Sequence, residues 1–264
     1  MELETTKMVA EVRVGVGWVT FNNPDRRNAI SLEMWRGLGV ILEAFQYDES
    51  VRVVVMKGAG DKAFVSGADI SEFDAHRSNA QQKLEYGKVS AHANRWLSQL
   101  DKPLIAMIQG YCIGGGLATA LSADIRFATA DSVFAIPAAK LGLGYDYAGL
   151  DVLTRIVGPS RAKDIMMSAR FLDAQEALQM GLVNFVVDNA ELESTVNSYA
   201  QVISANAPLT VKAAKAAINE VVKDESIRDL ETIDEMIDEC FNSEDYIEGR
   251  TAFMSKRRPR FSGR

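Results

Sequence analysis

Three short apolar runs constrain this chain more than any other feature. VRVVVMKG (51–58), KPLIAMIQG (102–110) and DIRFATA (124–130) are each of strand length, and the first two read as buried strands. Between those two lies NAQQKLEYGKVSAHANRWLSQL (79–100), which has helical spacing and is far too long for a hairpin connection. Strand, crossover and strand again is the rhythm of a mainly parallel sheet. Ahead of it, VAEVRV (9–14) and VGWVTF (16–21) flank Gly15 as a hairpin. SLEMWRGLGVILEAFQYD (31–48) then opens a helix with Ser31 as its N-cap and Glu33 in its first turn. From Ala190 to about Ser255 nearly every segment is helical, including APLTVKAAKAAINEVV and IRDLETIDEMIDECF. The fold class is therefore α/β, with an α/β core over 1–190 and a helical C-terminal region over 191–264.

Charge and composition close off several functions. A net charge of −7 at pH 7 argues against a nucleic-acid binder with a broad basic surface. The basic cluster KRRPR (256–260) reads either as a solvated tail or as an anion contact. Cys112 and Cys240 are too few for a disulfide framework or a zinc site, so no metal is expected. The N-terminus has no apolar core of signal-peptide length, and no 18-residue apolar run occurs. The chain reads as cytoplasmic, with no membrane partner.

GYCIGGGLATA (110–120) places three glycines between an apolar run and a helical stretch. A triplet of such poor helix and strand formers needs a reason. A phosphate loop is one, but neither G-x-G-x-x-G nor G-x-x-x-x-G-K-[ST] can be read here. Close packing of a helix on a strand is another. An oxyanion hole is the third: a bare backbone N–H at a helix start, aimed at a carbonyl oxygen that becomes negative. Such a hole needs a second donor, and the small-residue turn Gly67-Ala68-Asp69 in DKAFVSGADISEF (61–73) could supply it.

These stretches together resemble the crotonase (enoyl-CoA hydratase/isomerase) superfamily. NNPDRRNAIS, KAFVSGADISEF, IAMIQGYCIGGGLATALSADIRFATADSVFAIPAAKLGL, TRIVGPSRAKDIMMSARFLDAQEALQMGLVNFVV and NSEDYIEGRTAFMSKRRPRF carry the resemblance, in collinear order over essentially the whole chain. It implies a spiral of ββα units with a helical C-terminal trimerisation region, and a homotrimer or dimer of trimers. It implies an acyl-CoA thioester as partner, with coenzyme A as part of the substrate and no separate cofactor. By motif position, the backbone N–H groups of Ser66 and Gly115 would stabilise a thioester enolate. Arg27, Ala29, Ala63, Ala68, Asp69 and Ile70 match segments that hold CoA, and Phe253 and Lys256 match C-terminal positions that reach it.

The sequence also departs from that pattern. The two positions where hydratases of the family carry water-activating glutamates are Ala118 and Ala138. An alanine cannot move a proton, so standard hydration is not the expected chemistry. LGLGYDYAGLDVLTRIVG (141–158) instead brings Tyr145, Asp146 and Tyr147 to the acyl-pocket loop. Asp146 resembles in position a catalytic aspartate of the dienoyl-CoA isomerase and 4-chlorobenzoyl-CoA dehalogenase branches, and Tyr145 a tyrosine of methylmalonyl-CoA decarboxylase. Asp146 and Tyr145 are therefore the catalytic candidates, for isomerase, decarboxylase or other lyase chemistry. The alternatives are that the tyrosines only fill volume released by the alanines and that Asp146 is a loop residue facing solvent. The chain would then be a non-catalytic acyl-CoA binder, or Asp146 would serve a thioester hydrolase. His92 reads as a structural or surface histidine, His76 as a loop residue, and Asp69 as capping the turn after it.

Overall fold

The computed structural model describes residues 3–69 and 80–264. The chain repeats a strand–strand–helix unit. The first unit is β1 (Met8–Arg13), β2 (Val16–Phe21) and α1 (Leu32–Tyr47). The second is β3 (Val53–Gly58), β4 (Ala63–Val65) and α2 (Ala80–Gln99), and the third β5 (Leu104–Ile108), β6 (Tyr111–Ile113) and α3 (Gly115–Leu121). β7 (Ile125–Thr129) and β8 (Val133–Ala135) lead through a 3₁₀ turn into α4 (Tyr147–Val157) and α5 (Pro159–Ser168). β9 (Leu172–Asp173), α6 (Ala174–Met180) and β10 (Phe185–Val187) follow, then α7 (Leu192–Ser204), α8 (Pro208–Val221), α9 (Leu230–Asn242) and α10 (Glu244–Met254).

From the second unit to the fourth, one strand of each pair joins a large sheet and the other a small one. The large sheet runs β1-β2-β3-β5-β7-β10 and the small one β4-β6-β8-β9. β1 and β2 pair antiparallel, and every further pairing in the large sheet is parallel. The ββα spiral is thereby explicit: each of these three units advances both sheets by one strand.

The apolar runs lack polar alternation because both faces of the large sheet are covered. In β3, Val54 and Met56 enter the main core with α1 and α2, while Val53 and Val55 enter a second cluster with Leu192, Val196 and Ala200 of α7. β5 divides the same way, Leu104, Ala106 and Ile108 on one face and Ile105 and Met107 on the other. α7, on the helical side of residue 190, is thus a layer of the core. The later helices bury little: α9 has no buried residue and leaves Leu230, Ile237 and Phe241 exposed.

Two local readings change. Ser31 does sit at the N-cap of α1 with extended backbone, but its hydroxyl makes no capping hydrogen bond. The basic tail after α10 is not free. Arg257 makes two hydrogen bonds, of 2.6 and 2.7 Å, to the Glu248 carboxylate, and Glu248 also accepts the Arg260 N–H. The buried Asp245 carboxylate accepts the N–H groups of Ser262 and Gly263, at 2.6 and 2.8 Å. Arg52 holds the Phe261 carbonyl. Among the described residues, no helix is long and apolar enough to cross a membrane.

Candidate active site

The glycine triplet sits where β6 of the small sheet turns into α3, and each glycine has its own reason. Gly114, the N-cap, has φ +54 and ψ −117, outside what a side-chain-bearing residue adopts readily. A Cβ on Gly116 would lie 2.2 Å from the Val65 carbonyl oxygen, so α3 packs directly on β4 there. A Cβ on Gly115 would meet nothing within 4 Å. Packing and an open helix start are therefore both true, at different glycines. Gly115 is the first residue of α3, and its N–H is one of the donors a helix start leaves without an intrahelical partner. It donates to no acceptor among the described residues.

A second bare turn faces it. Gly67, just past β4, has φ +115, and a Cβ on Gly114 would sit 4.0 Å from the Gly67 Cα. Here the structure corrects the expected donor. The Ser66 N–H donates to the Arg27 carbonyl at 3.1 Å. Ala68 forms a parallel bridge with Ile30, in which Ile30 N–H donates to Gly67 O at 2.8 Å and Asp69 N–H to Ile30 O at 2.9 Å. In extended chain, alternate residues face opposite sides, so the Ala68 N–H points away from Ile30, toward the side where β6 and α3 lie. It too has no acceptor among the described residues. In a regular strand Ser66 and Ala68 would face the same way; the rotation at Gly67 separates them. The turn thus offers Ala68, not Ser66.

Ala118 is half-buried one turn into α3, and Ala138 is 5% exposed in the main core. Each presents a methyl group, which cannot move a proton. Asp146 is exposed and caps α4: its Oδ1 accepts the Gly149 N–H at 2.9 Å. Tyr145 is half-buried and packs on the main core. Tyr147 does not fill pocket volume, being 83% exposed. His92 lies on the α1–α2 packing face, its Nε2 3.0 Å from Trp96 Nε1 and 3.2 Å from a Glu43 oxygen. Ile70 and His76 lie outside the described residues.

Two of the expected CoA positions, Arg27 and Ala63, line one cleft. Arg27, Lys62, Ala63 and the buried Asn28 line this cleft of about 580 Å³, also bounded by Asp25 and Asp61. Ala29 is buried beside it, and the buried Asp69 lies 3.5 Å from Arg26 Nη1. Phe253 and Lys256 stand apart from these lining residues, exposed at the end of α10. Among the described residues, no three His, Cys, Asp or Glu side chains are grouped to hold a metal ion. Cys112 is fully buried, which pushes its thiol far above the ordinary range and leaves it inert.

Sequence reasoning missed two features here. The turn Gly67-Ala68-Asp69 was in view, but motif position pointed to Ser66 rather than Ala68, because a backbone N–H has no side-chain signature. The approach of the Arg27 guanidinium over the Tyr111 ring, 5.0 Å from its centroid, joins residues far apart in sequence.

Comparison with known proteins agrees with this architecture. Residues 11–264 match the family model for enoyl-CoA hydratase/isomerase. The short-chain-enoyl-CoA hydratase of Clostridium acetobutylicum is 36% identical over 258 residues, 98% of this chain and 97% of that protein. The carnitinyl-CoA dehydratase of Escherichia coli K12 is 33% identical over 250 residues, 93% of this chain and 94% of that one. A crystal structure of an enoyl-CoA hydratase/carnithine racemase from Magnetospirillum magneticum superposes with a TM-score of 0.91 at 36% identity, covering 99% and 97% of the two chains. The chain belongs to the enoyl-CoA hydratase/isomerase family.

Proposed function

We propose that this member of the enoyl-CoA hydratase/isomerase family binds acyl-CoA thioesters and carries out isomerase or lyase chemistry through a thioester enolate, rather than standard hydration. The observation that carries the reading is the pairing of two main-chain N–H groups, Ala68 and Gly115, that find no acceptor among the described residues, on turns that meet at Gly67 and Gly114, with methyl groups at 118 and 138. Donors of this kind are worth most where negative charge develops, and one typically supplies ~2.7–4 kcal/mol. The α3 N-terminus adds positive potential at the same point.

The alanines at 118 and 138 support this reaction class. A general acid or base contributes typically ~10²–10⁴-fold, and water addition across a double bond uses both a base and an acid. Isomerisation needs one group that removes a proton from one carbon and returns it to another. Decarboxylation needs less, because departure of CO₂ leaves its electron pair as the enolate. Asp146 is the candidate for the single acid/base, with Tyr145 beside it. Its cap uses Oδ1, which leaves Oδ2 to exchange a proton.

The test is α-proton exchange of butyryl-CoA in D₂O, run with crotonyl-CoA absorbance, on the wild type and Asp146→Asn. Exchange without loss of enoyl absorbance, abolished in the variant, is the expected result. Rapid hydration of crotonyl-CoA refutes it. The exposed, capping position of Asp146 favours a second reading, a non-catalytic acyl-CoA binder; CoA binding without exchange selects that, and release of free thiol selects a hydrolase. The exposed apolar residues of α8 and α9 support assembly into a trimer or dimer of trimers, which light scattering on the purified protein measures.

A further inference from the structure

The backbone beside the cleft takes an unfavourable form. Arg27 and Asn28 both have positive φ, 51° and 55°. Asparagine tolerates this region, and Arg27 enters it as the left-handed C-cap of the 3₁₀ turn Pro24–Arg26. The surroundings impose it. The Arg27 N–H donates to Pro24 O at 2.9 Å and its carbonyl accepts the Ser66 N–H at 3.1 Å. The Asn28 side chain donates to the carbonyls of Ala59 and Ala63, at 3.0 and 2.8 Å, and accepts the Asn23 N–H at 2.9 Å. Held this way, the exposed Arg27 guanidinium lies over the Tyr111 ring, 5.0 Å from its centroid.

Arg26 pairs with Asp69, but neither Arg27 nor Lys62 is within ion-pair distance of a carboxylate among the described residues. Asp25 and Asp61 line the same cleft without engaging either cation. The Tyr111 N–H donates to Lys62 O at 3.1 Å, so the ring and the lysine are carried by one pair of strands. A guanidinium seated on an aromatic face keeps its N–H edge free and aimed, the arrangement that suits a phosphate oxygen pair.

Building on the acyl-CoA reading, we propose that Tyr111 is a positioning residue that holds Arg27 ready for a phosphate of the CoA nucleotide end, with Lys62 as the second cation. The diphosphate and the 3′-phosphate share this chemistry, and the experiment separates them. Calorimetric Kd values are measured for CoA, dephospho-CoA and the phosphate-free N-acetylcysteamine butyryl thioester. The proteins are the wild type, Tyr111→Phe, Tyr111→Leu and Arg27→Gln.

Tyr111→Leu weakens CoA about three-fold, the size of an exposed cation–π contact, and Tyr111→Phe restores it. Arg27→Gln weakens CoA about ten-fold or more, with a shallower salt dependence. The truncated thioester binds all four proteins equally. Losses that persist with dephospho-CoA assign the diphosphate, and losses that vanish assign the 3′-phosphate. Equal CoA affinity for Tyr111→Leu and wild type overturns the proposal, as does an equal loss for the truncated thioester. If wild type binds no CoA, the acyl-CoA reading itself falls. Inorganic pyrophosphate then decides the cation pair: binding lost in Arg27→Gln supports it, and no binding to wild type overturns it.

Discussion

Replacing Gly116 by alanine loads the contact that sets the geometry of both bare N–H groups. The new Cβ starts 2.2 Å from the Val65 carbonyl oxygen and 2.7 Å from the Val65 Cβ, where ordinary contact begins near 3.4 Å. The shortfall to the oxygen is 3.4 minus 2.2, or 1.2 Å. Main-chain oxygen cannot rotate aside, so α3 and β4 must separate by roughly that much. Overpacking of this kind costs about 1–3 kcal/mol of stability. Gly115 moves with α3 while Ala68 stays with β4, so the two donors lose their common target. Loss of one such donor is worth ~2.7–4 kcal/mol, or about 10²–10³ in rate.

Gly115→Ala is the control, since its Cβ meets nothing and a helix start accepts alanine; its stability changes by less than about 0.5 kcal/mol. Urea denaturation measures the first quantity. The ¹³C shift of the thioester carbonyl in bound butyryl-CoA measures the second, without reference to any reaction. A Gly116→Ala protein with wild-type stability and an unshifted carbonyl refutes the reasoning.

Asp146→Ala removes the α4 cap and should cost about 0.5–2 kcal/mol in a denaturation series, while Asp146→Asn keeps the cap and stays within a few tenths; equal losses would show that the cap contributes nothing. Arg257, and the Arg260 backbone, hold the Glu248 carboxyl down at about 2 from its ordinary 4.5. Because the folded value is the lower one, this group's contribution is present above pH 4.5 and fades as pH falls toward 2. Limited proteolysis of the C-terminal tail should therefore accelerate across that window in wild type, and Glu248→Gln should show no such step. Arg126 is buried in β7 and donates to the carbonyls of Leu182 and Ala123, at 2.8 and 2.5 Å. Arg126→Met strands both acceptors and should cost about 1–3 kcal/mol, read as a lower denaturation midpoint.

What could be read ahead of the structure follows from where the information lies. The runs at 51–58 and 102–110 announced strands covered on both faces, because burial on alternate sides leaves no polar residue to place. The glycine triplet announced a close approach, and Gly116 against Val65 is that approach. The donor opposite was misplaced by two residues, since only the turn at Gly67, with φ +115, reveals that Ser66 faces Arg27 and Ala68 does not. Asp146 was visible as a carboxylate in the loop ahead of α4, but its capping bond to Gly149 depends on where α4 begins. The tail was legible only as charge. Its attachment rests on Asp245 and Glu248, which lie on the preceding helix and carry no mark of that task.

The two bare N–H groups belong to the main chain, and that changes how such a site can be altered over time. No substitution at Ala68 or Gly115 deletes its donor except proline, whereas Ala118, Ala138, Tyr145 and Asp146 can each be exchanged by a codon change. On the proposed function, charge stabilisation would be inherited with the fold, and proton transfer would be written in replaceable side chains. A mutational scan would therefore register the donors only through their supports, Gly114, Gly116, Gly67 and the Arg27 carbonyl, and would leave the donors themselves looking dispensable.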